Sequence, residues 1–506
     1  MSLLGIDVGT TGCKAVAFNP EGKMLVQAYR EYPLLHPNSG WSELDIKNLW
    51  CSIEDSLCEV NNILTYDPVE SLSVSSQGEA VIPIDCFGNA LYNCIVSFDH
   101  RTLDQAKWWE QSFGAKNVFH ITGMPLHAMY SINKIMWFRD NRPDIFTKTA
   151  KFVCIEDFVN FRLAGAYAID WSLAGRTMAF DIINKCWSQT MLDKANILPN
   201  LLSKPVPAVT AIGTISKQMA DKLGFQKNVI VAAGGHDQPC GALGAGVIKP
   251  GVAANAMGTV DVICPVLAEP VFSQKMLDCN YCCYSHVDPG RYISVAFNLT
   301  GCLLLRWYRD TFCKEEQTRA VLSNRSVYEI IIEEASSDIK DIFFLPHLTG
   351  AGTPYLDSNS RGVLAGLTID TTKADISKAV LDSTNYEMKL NIDLMNKVGI
   401  NITELRAIGG GAKSEKWLQM RANCFNIPIS SVNVSEAASL GAAMLGGIAS
   451  GRFKSVSEVV GAMVKPGKTF EPDMNKNKQY EEKFQYFQEL YPSMKRFNHL
   501  ITREFC

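Results

Sequence analysis

The chain has 506 residues, of which 47% are hydrophobic, 20% charged and 10% aromatic. That is the composition of a large globular protein of about three units or two large lobes, and it excludes a single small module and long disorder. Lys and Arg total 48 against 52 Asp and Glu, a net charge of −4, so no basic excess exists to neutralise a nucleic-acid backbone. The start lacks a basic leader region, no 18-residue apolar run occurs, and the 16 cysteines are scattered. A secreted disulfide scaffold and a membrane protein are therefore set aside in favour of a cytoplasmic chain with reduced thiols.

Residues 3–8 read as a buried strand, Gly9-Thr10-Thr11-Gly12 as a tight turn and residues 13–18 as the returning strand. Asn19-Pro20-Glu21-Gly22 turns the chain into a third β-rich run over 24–29, a meander that opens a mixed sheet. Asp45 is placed to cap a helix in which Ile46, Leu49, Trp50, Ile53 and Leu57 share one face, and a second helical pattern covers 130–138. Pro199, Pro205, Pro207 and Gly213 make 197–215 an extended crossing, with a division into lobes of residues 1–245 and 246–506 just beyond it. Asn255-Ala256-Met257-Gly258-Thr259-Val260-Asp261 echoes the first turn. Gly9 and Gly258 stand 249 residues apart, close to half the chain, as expected of two similarly built lobes facing a shared cleft.

Cys279, Cys282, Cys283 and His286 contain a C-x-x-C, but no second ligand pair follows, so ordinary buried cysteines are expected. Farther on, residues 405–408 form a short strand, Gly409-Gly410-Gly411-Ala412 a glycine turn, and Ser414 the cap of a helix carrying Trp417 and Leu418. A strand over 427–432 precedes a small-residue helix over 437–448, opened by Ser435 and Glu436 and ended by Gly451. Tyr480, Phe484, Phe487 and Tyr491 recur at helical spacing and read as a packing face.

Three segments carry chemistry. Asp7, Gly9, Thr10, Thr11 and Lys14 combine backbone N–H groups, hydroxyls, a cation and a carboxylate able to hold Mg²⁺, the parts of a phosphate cradle. A plain hairpin with a buried Asp is the alternative. Gly234-Gly235-His236-Asp237-Gln238 follows an apolar strand, which places Asp237 either as a base for an attacking hydroxyl or as the cap of the next helix. Gly258 and Thr259 offer a second set of phosphate donors, and the 409–411 glycines admit a flat base. Together they describe nucleotide-dependent phosphoryl transfer.

At this point the chain resembles the FGGY carbohydrate kinases over nearly its full length. Residues 7–14, Gly258-Thr259 and 409–417 look like that family's two phosphate motifs and its adenosine motif. Residues 129–141 and the run Gly362-Val363-Leu364-Ala365-Gly366-Leu367 with Asp375, Ile376, Ala379 and Asp382 look like its longer signatures. The resemblance implies a two-lobed α/β actin-like ATPase (ribonuclease H-like) fold with duplicated mixed sheets. Sugar would bind in the first lobe and ATP mainly through the second.

The resemblance further implies Asp237 as catalytic base, Asp7 and Asp237 at Mg²⁺, and ATP contacts at Thr10, Thr11, Lys14, Gly258, Thr259, Gly301, Gly410, Gly411 and Ala412. Sugar contacts would come from Gln77, Gly78, Glu79, Asp99, Asp237 and Gln238. Where glycerol kinases carry Gln-Arg-Glu this chain has Gln77-Gly78-Glu79, and the missing cation is expected to leave room for a pentulose such as xylulose. Arg176 either reaches the sugar or pairs at the surface, and Lys134 reads as a solvated cation. The expected partner is a small sugar or polyol, with neither membrane nor nucleic acid involved and a homodimer as the assembly. Kinases of other polyols or deoxy sugars, and a non-catalytic ATP and sugar sensor, are the competing readings.

Overall fold

The computed structural model describes residues 1–226 and 228–502. The meander forms as expected: β1 (Ser2–Val8), β2 (Gly12–Phe18) and β3 (Met24–Glu31) pair antiparallel in turn. The Asp45 carboxylate accepts the Asn48 N–H at 2.9 Å and caps α1 (Ile46–Ile63), whose Leu49, Trp50, Ile53 and Leu57 are buried. The helix returns the chain to β4 (Val69–Ser76), parallel to β1. Then come α2 (Ser131–Asn141) and the short α3 (Trp171–Gly175). β5 (Ala211–Thr214), β6 (Ile230–Ala232) and β7 (Gly235–His236) complete a sheet of order β5-β6-β4-β1-β2-β3, with β7 also on β4.

After α4 (Asp237–Gly244), β8 (Val252–Met257) and β9 (Asp261–Leu267) form the second hairpin. Short strands β10 (Tyr284–Ser285), β11 (Tyr292–Ile293) and β12 (Ala296–Asn298) extend it, followed by α5 (Cys302–Phe312) and the 25-residue α6 (Lys373–Lys397). β13 (Glu404–Ile408), α7 (Glu415–Phe425), β14 (Ile429–Val432), α8 (Ala437–Ala449), β15 (Pro466–Phe470) and α9 (Met474–Thr502) finish the chain. The second sheet runs β10-β11-β9-β8-β13-β14-β15. Its β8-β9 hairpin, two parallel neighbours and antiparallel edge β15 repeat the β1-β2 hairpin, β4, β6 and β5 of the first. The faint repeat of two Gly-Thr turns is thus a duplicated architecture.

The small residues of α8 have a structural reason. A Cβ on Gly5 would lie 1.8 Å from Ser439 O, one on Gly244 1.9 Å from Ala437 O, and one on Gly441 1.9 Å from Cys240 O. Bare backbone therefore lets α8, from the second half of the sequence, lie directly on β1 and α4 of the first. The aromatic stripe of α9 is buried as expected. Neighbouring Cys282 and Cys283 pack into different core clusters. All 15 described cysteines are free thiols, Cys506 lying outside the described residues.

Candidate active site

Strand register brings the two carboxylates to one edge of the first sheet. Ser75 of β4 sits opposite Asp7 on one side and opposite Gly235 on the other. The Asp7 and Gly235 backbones are thus two strand spacings apart, about 10 Å. The Ser75 hydroxyl donates to Asp7 Oδ1 at 3.0 Å. Asp237 is the first residue of α4, and the cap position belongs to His236. Its side chain is 32% exposed, yet Oδ1 is buried and has no hydrogen-bond partner. Burial first, then the charges of Asp7 and Glu79, push the Asp237 carboxyl up to about 7, and burial raises Asp7 to about 6.

Both halves hold the segment around Asp237. The His236 N–H donates to Ser172 Oγ at 2.9 Å, and that hydroxyl donates to Asp170 Oδ1 at 2.9 Å. His236 Nδ1 lies 3.0 Å from the Tyr284 hydroxyl of β10, while Nε2 lies 3.2 Å from Asp237 Oδ1 without hydrogen-bond alignment. Gln238 Oε1 accepts the Cys264 thiol of β9 at 3.7 Å.

At the first turn the Gly9 N–H donates to Gly12 O at 3.0 Å, and the Thr10 hydroxyl donates to Gln77 Oε1 at 3.0 Å, tying the phosphate turn to the expected sugar wall. Thr11 is exposed. Lys14 Nζ lies 2.5 Å from Glu436 Oε2 at the head of α8. Glu436 occupies the N-cap of α8 as expected but makes no side-chain cap bond, its carboxylate being engaged with Lys14.

Around Met257 the other expected nucleotide segments converge. Gly258 O accepts the Cys302 N–H at 2.8 Å, and a Cβ on Gly301 would lie 2.6 Å from Asp261 N. Gly409 has φ +91°, a Cβ on Gly411 would lie 2.9 Å from Met257 Cβ, and Gly410 faces open space beside Ala412. Thr259 is exposed. Arg421 of α7 donates to Asn255 at 2.7 Å and pairs with Asp261, fixing the adenosine-motif helix to the second hairpin. The Ser414 hydroxyl caps α7 as expected.

Three expectations on the sugar side need correction, and one of the two readings of Arg176 falls away. The space at Gly78 is not open: a Cβ there would lie 3.0 Å from the His236 ring and 3.5 Å from Arg176 Cβ. Arg176 does not pair at the surface, since it is buried against Glu79. Lys134 is not solvated: it is fully buried, donates to Glu79 O at 2.7 Å, and is lowered to about 8 by burial. Asp99 has no free oxygen for a sugar, because it accepts Arg101 Nε at 2.8 Å, Arg101 Nη2 at 2.7 Å, the Arg101 N–H at 2.9 Å and the Ser42 N–H at 2.6 Å. Gln77 keeps a buried Nε2 without a partner.

Duplicated sheets, a Gly-Thr turn in the hairpin of each and two raised carboxyls, on or just after the strands that flank β4, are the arrangement expected of a two-lobed phosphotransferase. The model of the FGGY carbohydrate kinase N-terminal domain matches residues 2–244, and that of the C-terminal domain matches residues 253–450. The chain belongs to the FGGY family of carbohydrate kinases. It is 26% identical over 499 residues to the xylulose kinase of Bacillus subtilis (strain 168), covering 98% of each chain. It is 28% identical over 467 residues to the gluconokinase of that strain, covering 91% of this chain and 90% of that one. The fold matches a solved gluconate kinase from Lactobacillus acidophilus with a TM-score of 0.89 at 24% identity, over 97% of this chain and 98% of the other. Its activity is phosphoryl transfer from ATP to a hydroxyl of a small sugar or polyol.

Proposed function

We propose that this kinase phosphorylates a neutral ketopentose, xylulose before other polyols. The observation that carries this reading is the charge balance of the pocket wall. Arg176 is paired with Glu79, Arg101 with Asp99 and Glu43, and buried Lys134 is held by two backbone carbonyls. Each of these cations faces an acid or a backbone carbonyl, and Asp7 and Asp237 add negative charge, so the wall as a whole disfavours the carboxylate of an aldonate. Full-length similarity to a xylulose kinase points the same way.

In this reading Asp237 accepts the proton of the attacking hydroxyl, with a carboxyl near 7 suited to a base at neutral pH. Gln77 Nε2 and Glu79 hold substrate oxygens. Thr10, Thr11, Gly258 and Thr259 position the phosphates, with Gly301 allowing the close approach of α5. Gly410, Gly411 and Ala412 make room for adenosine. Lys14 reaches the phosphates when it leaves Glu436.

The two raised carboxylates are hard oxygen donors whose ionised forms a divalent cation would favour. Asp7 and Asp237 would hold Mg²⁺, which would neutralise charge on the transferred phosphoryl group. The division at 245/246 and a cytoplasmic location belong to the same reading, the latter supported by the free thiols. No helix among the described residues is long and apolar enough to cross a membrane. A homodimer is also part of the reading, supported by Tyr486, Phe497 and Leu500 exposed along α9.

ADP release with a panel of xylulose, ribulose, deoxyhexuloses, pentitols, glycerol and gluconate tests the reading. Stimulation by ketopentoses is expected; preference for gluconate would overturn the substrate, and no stimulation at all would favour the sensor.

A further inference from the structure

Arg176 is buried beside Glu79, and most of its N–H groups lack an oxygen partner. Its Nε and Nη2 both turn to one oxygen, Glu79 Oε1. The remaining N–H groups meet only sulfur: Nη1 lies 3.7 Å from Met124 Sδ and 3.6 Å from Cys282 Sγ, and Nη2 lies 3.8 Å from Met129 Sδ. Thioether and thiol sulfur are weak acceptors. The guanidinium carbon lies 5.4 Å from the Tyr130 ring centre and 5.3 Å from that of Tyr284, and the side chain is 11% exposed. Such a cation is held rigidly, largely dried, and short of oxygen partners.

Glu79 complements it. Its φ of +61° is a left-handed conformation that a non-glycine residue holds only when its surroundings enforce it. Lys134 clamps its carbonyl, and Arg176 clamps Oε1. Among the described residues no hydrogen bond reaches Glu79 Oε2. A Cβ on Gly78 would lie 3.0 Å from the His236 ring and 3.5 Å from Arg176 Cβ, so the pair lies beside the segment that carries Asp237.

We propose that Arg176 and Glu79 form one reading head for a vicinal pair of substrate oxygens, the spare guanidinium N–H groups donating to one and Glu79 Oε2 accepting from the neighbouring hydroxyl. A ketose suits this arrangement better than the matching alditol. Its carbonyl oxygen takes two N–H donors and brings no hydrogen of its own to place. Arg176 is thus a specificity-determining residue, resting on the proposed ketopentose reading.

Arg176→Lys tests it, because Lys keeps the charge opposite Glu79 and loses the planar fork. KM for xylulose should rise about 10- to 100-fold, the loss of one hydrogen bond to a charged group. KM for ATP should stay within about twofold and the melting temperature within a few degrees. The preference for xylulose over xylitol should narrow. An unchanged xylulose KM, whether or not stability falls, would make Arg176 a brace for Glu79 and overturn the proposal. Calorimetric titration with xylulose separates this from the ketopentose reading. If the unmodified protein binds xylulose and Arg176→Lys binds it more weakly, the reading head stands even if turnover prefers another sugar.

Discussion

In the proposed mechanism a single carboxyl group, that of Asp237, serves as the base. It can do so only when ionised, so activity should fall as pH drops through its raised value of about 7 and level off above it. A pH-rate profile with saturating ATP and Mg²⁺ should show a half-rise at or below pH 7, since a bound cation favours the ionised form. Asp237→Asn should lower kcat by about 10² to 10⁴ while ATP binding by calorimetry changes little. The position of Asp237 after a strand end and the glycine turns were readable from sequence because each signal is local. Lys134, Arg176 and Glu436 were not, because their partners lie 55, 97 and 422 residues away. Composition cannot tell a solvated lysine from one clamped on a distant carbonyl. Asp99 failed for a related reason: the sequence showed a carboxylate beside Arg101, and only the structure showed all its lone pairs in use.

At the scale of elements, α8 joins the halves. Its helical nature, its length and the role of Gly451 were evident from the run of Ala and Gly, but its partners were not. Bare glycines are what bring three backbones together, so one added methyl group should be costly. Gly441→Ala should lower stability by about 2 kcal/mol or more, seen as a lower urea midpoint, whereas Gly461→Ala, with nothing within 4 Å, should cost little. The head of the same helix carries Glu436, which occupies Lys14. Glu436→Gln should free the lysine and tighten ATP binding about 3- to 10-fold by calorimetry. An unchanged ATP affinity would separate Lys14 from the nucleotide.

Over the whole molecule, the duplication of the sheets explains why so much of the architecture could be read in advance. Each half repeats a hairpin, two parallel strands and an antiparallel edge, and the Gly-Thr turns mark the hairpins. The segments between these strands that carry Glu79, Asp99, Lys134 and Arg176 have no such repeat, and there the sequence was least informative. Glu156, Asp157 and Asp170 are buried in the first half, and burial raises Asp157 to about 7. A carboxyl raised above its unfolded value stabilises most fully below about pH 4, and that contribution is lost as pH rises through 7. Asp157→Asn should therefore gain about 3 kcal/mol at pH 8, shrinking toward pH 4, in denaturation at several pH values. Closure of the two halves should show in X-ray scattering as a smaller radius of gyration when sugar and a non-hydrolysable ATP analogue are both present. The most direct measurement is single-turnover transfer of labelled γ-phosphate from ATP to xylulose, with enzyme in excess, for the unmodified chain and Asp237→Asn. Labelled sugar phosphate should form with the first and nearly vanish with the second while labelled ATP stays bound. Equal rates for the two would contradict the assignment of Asp237 as the base in the cleft.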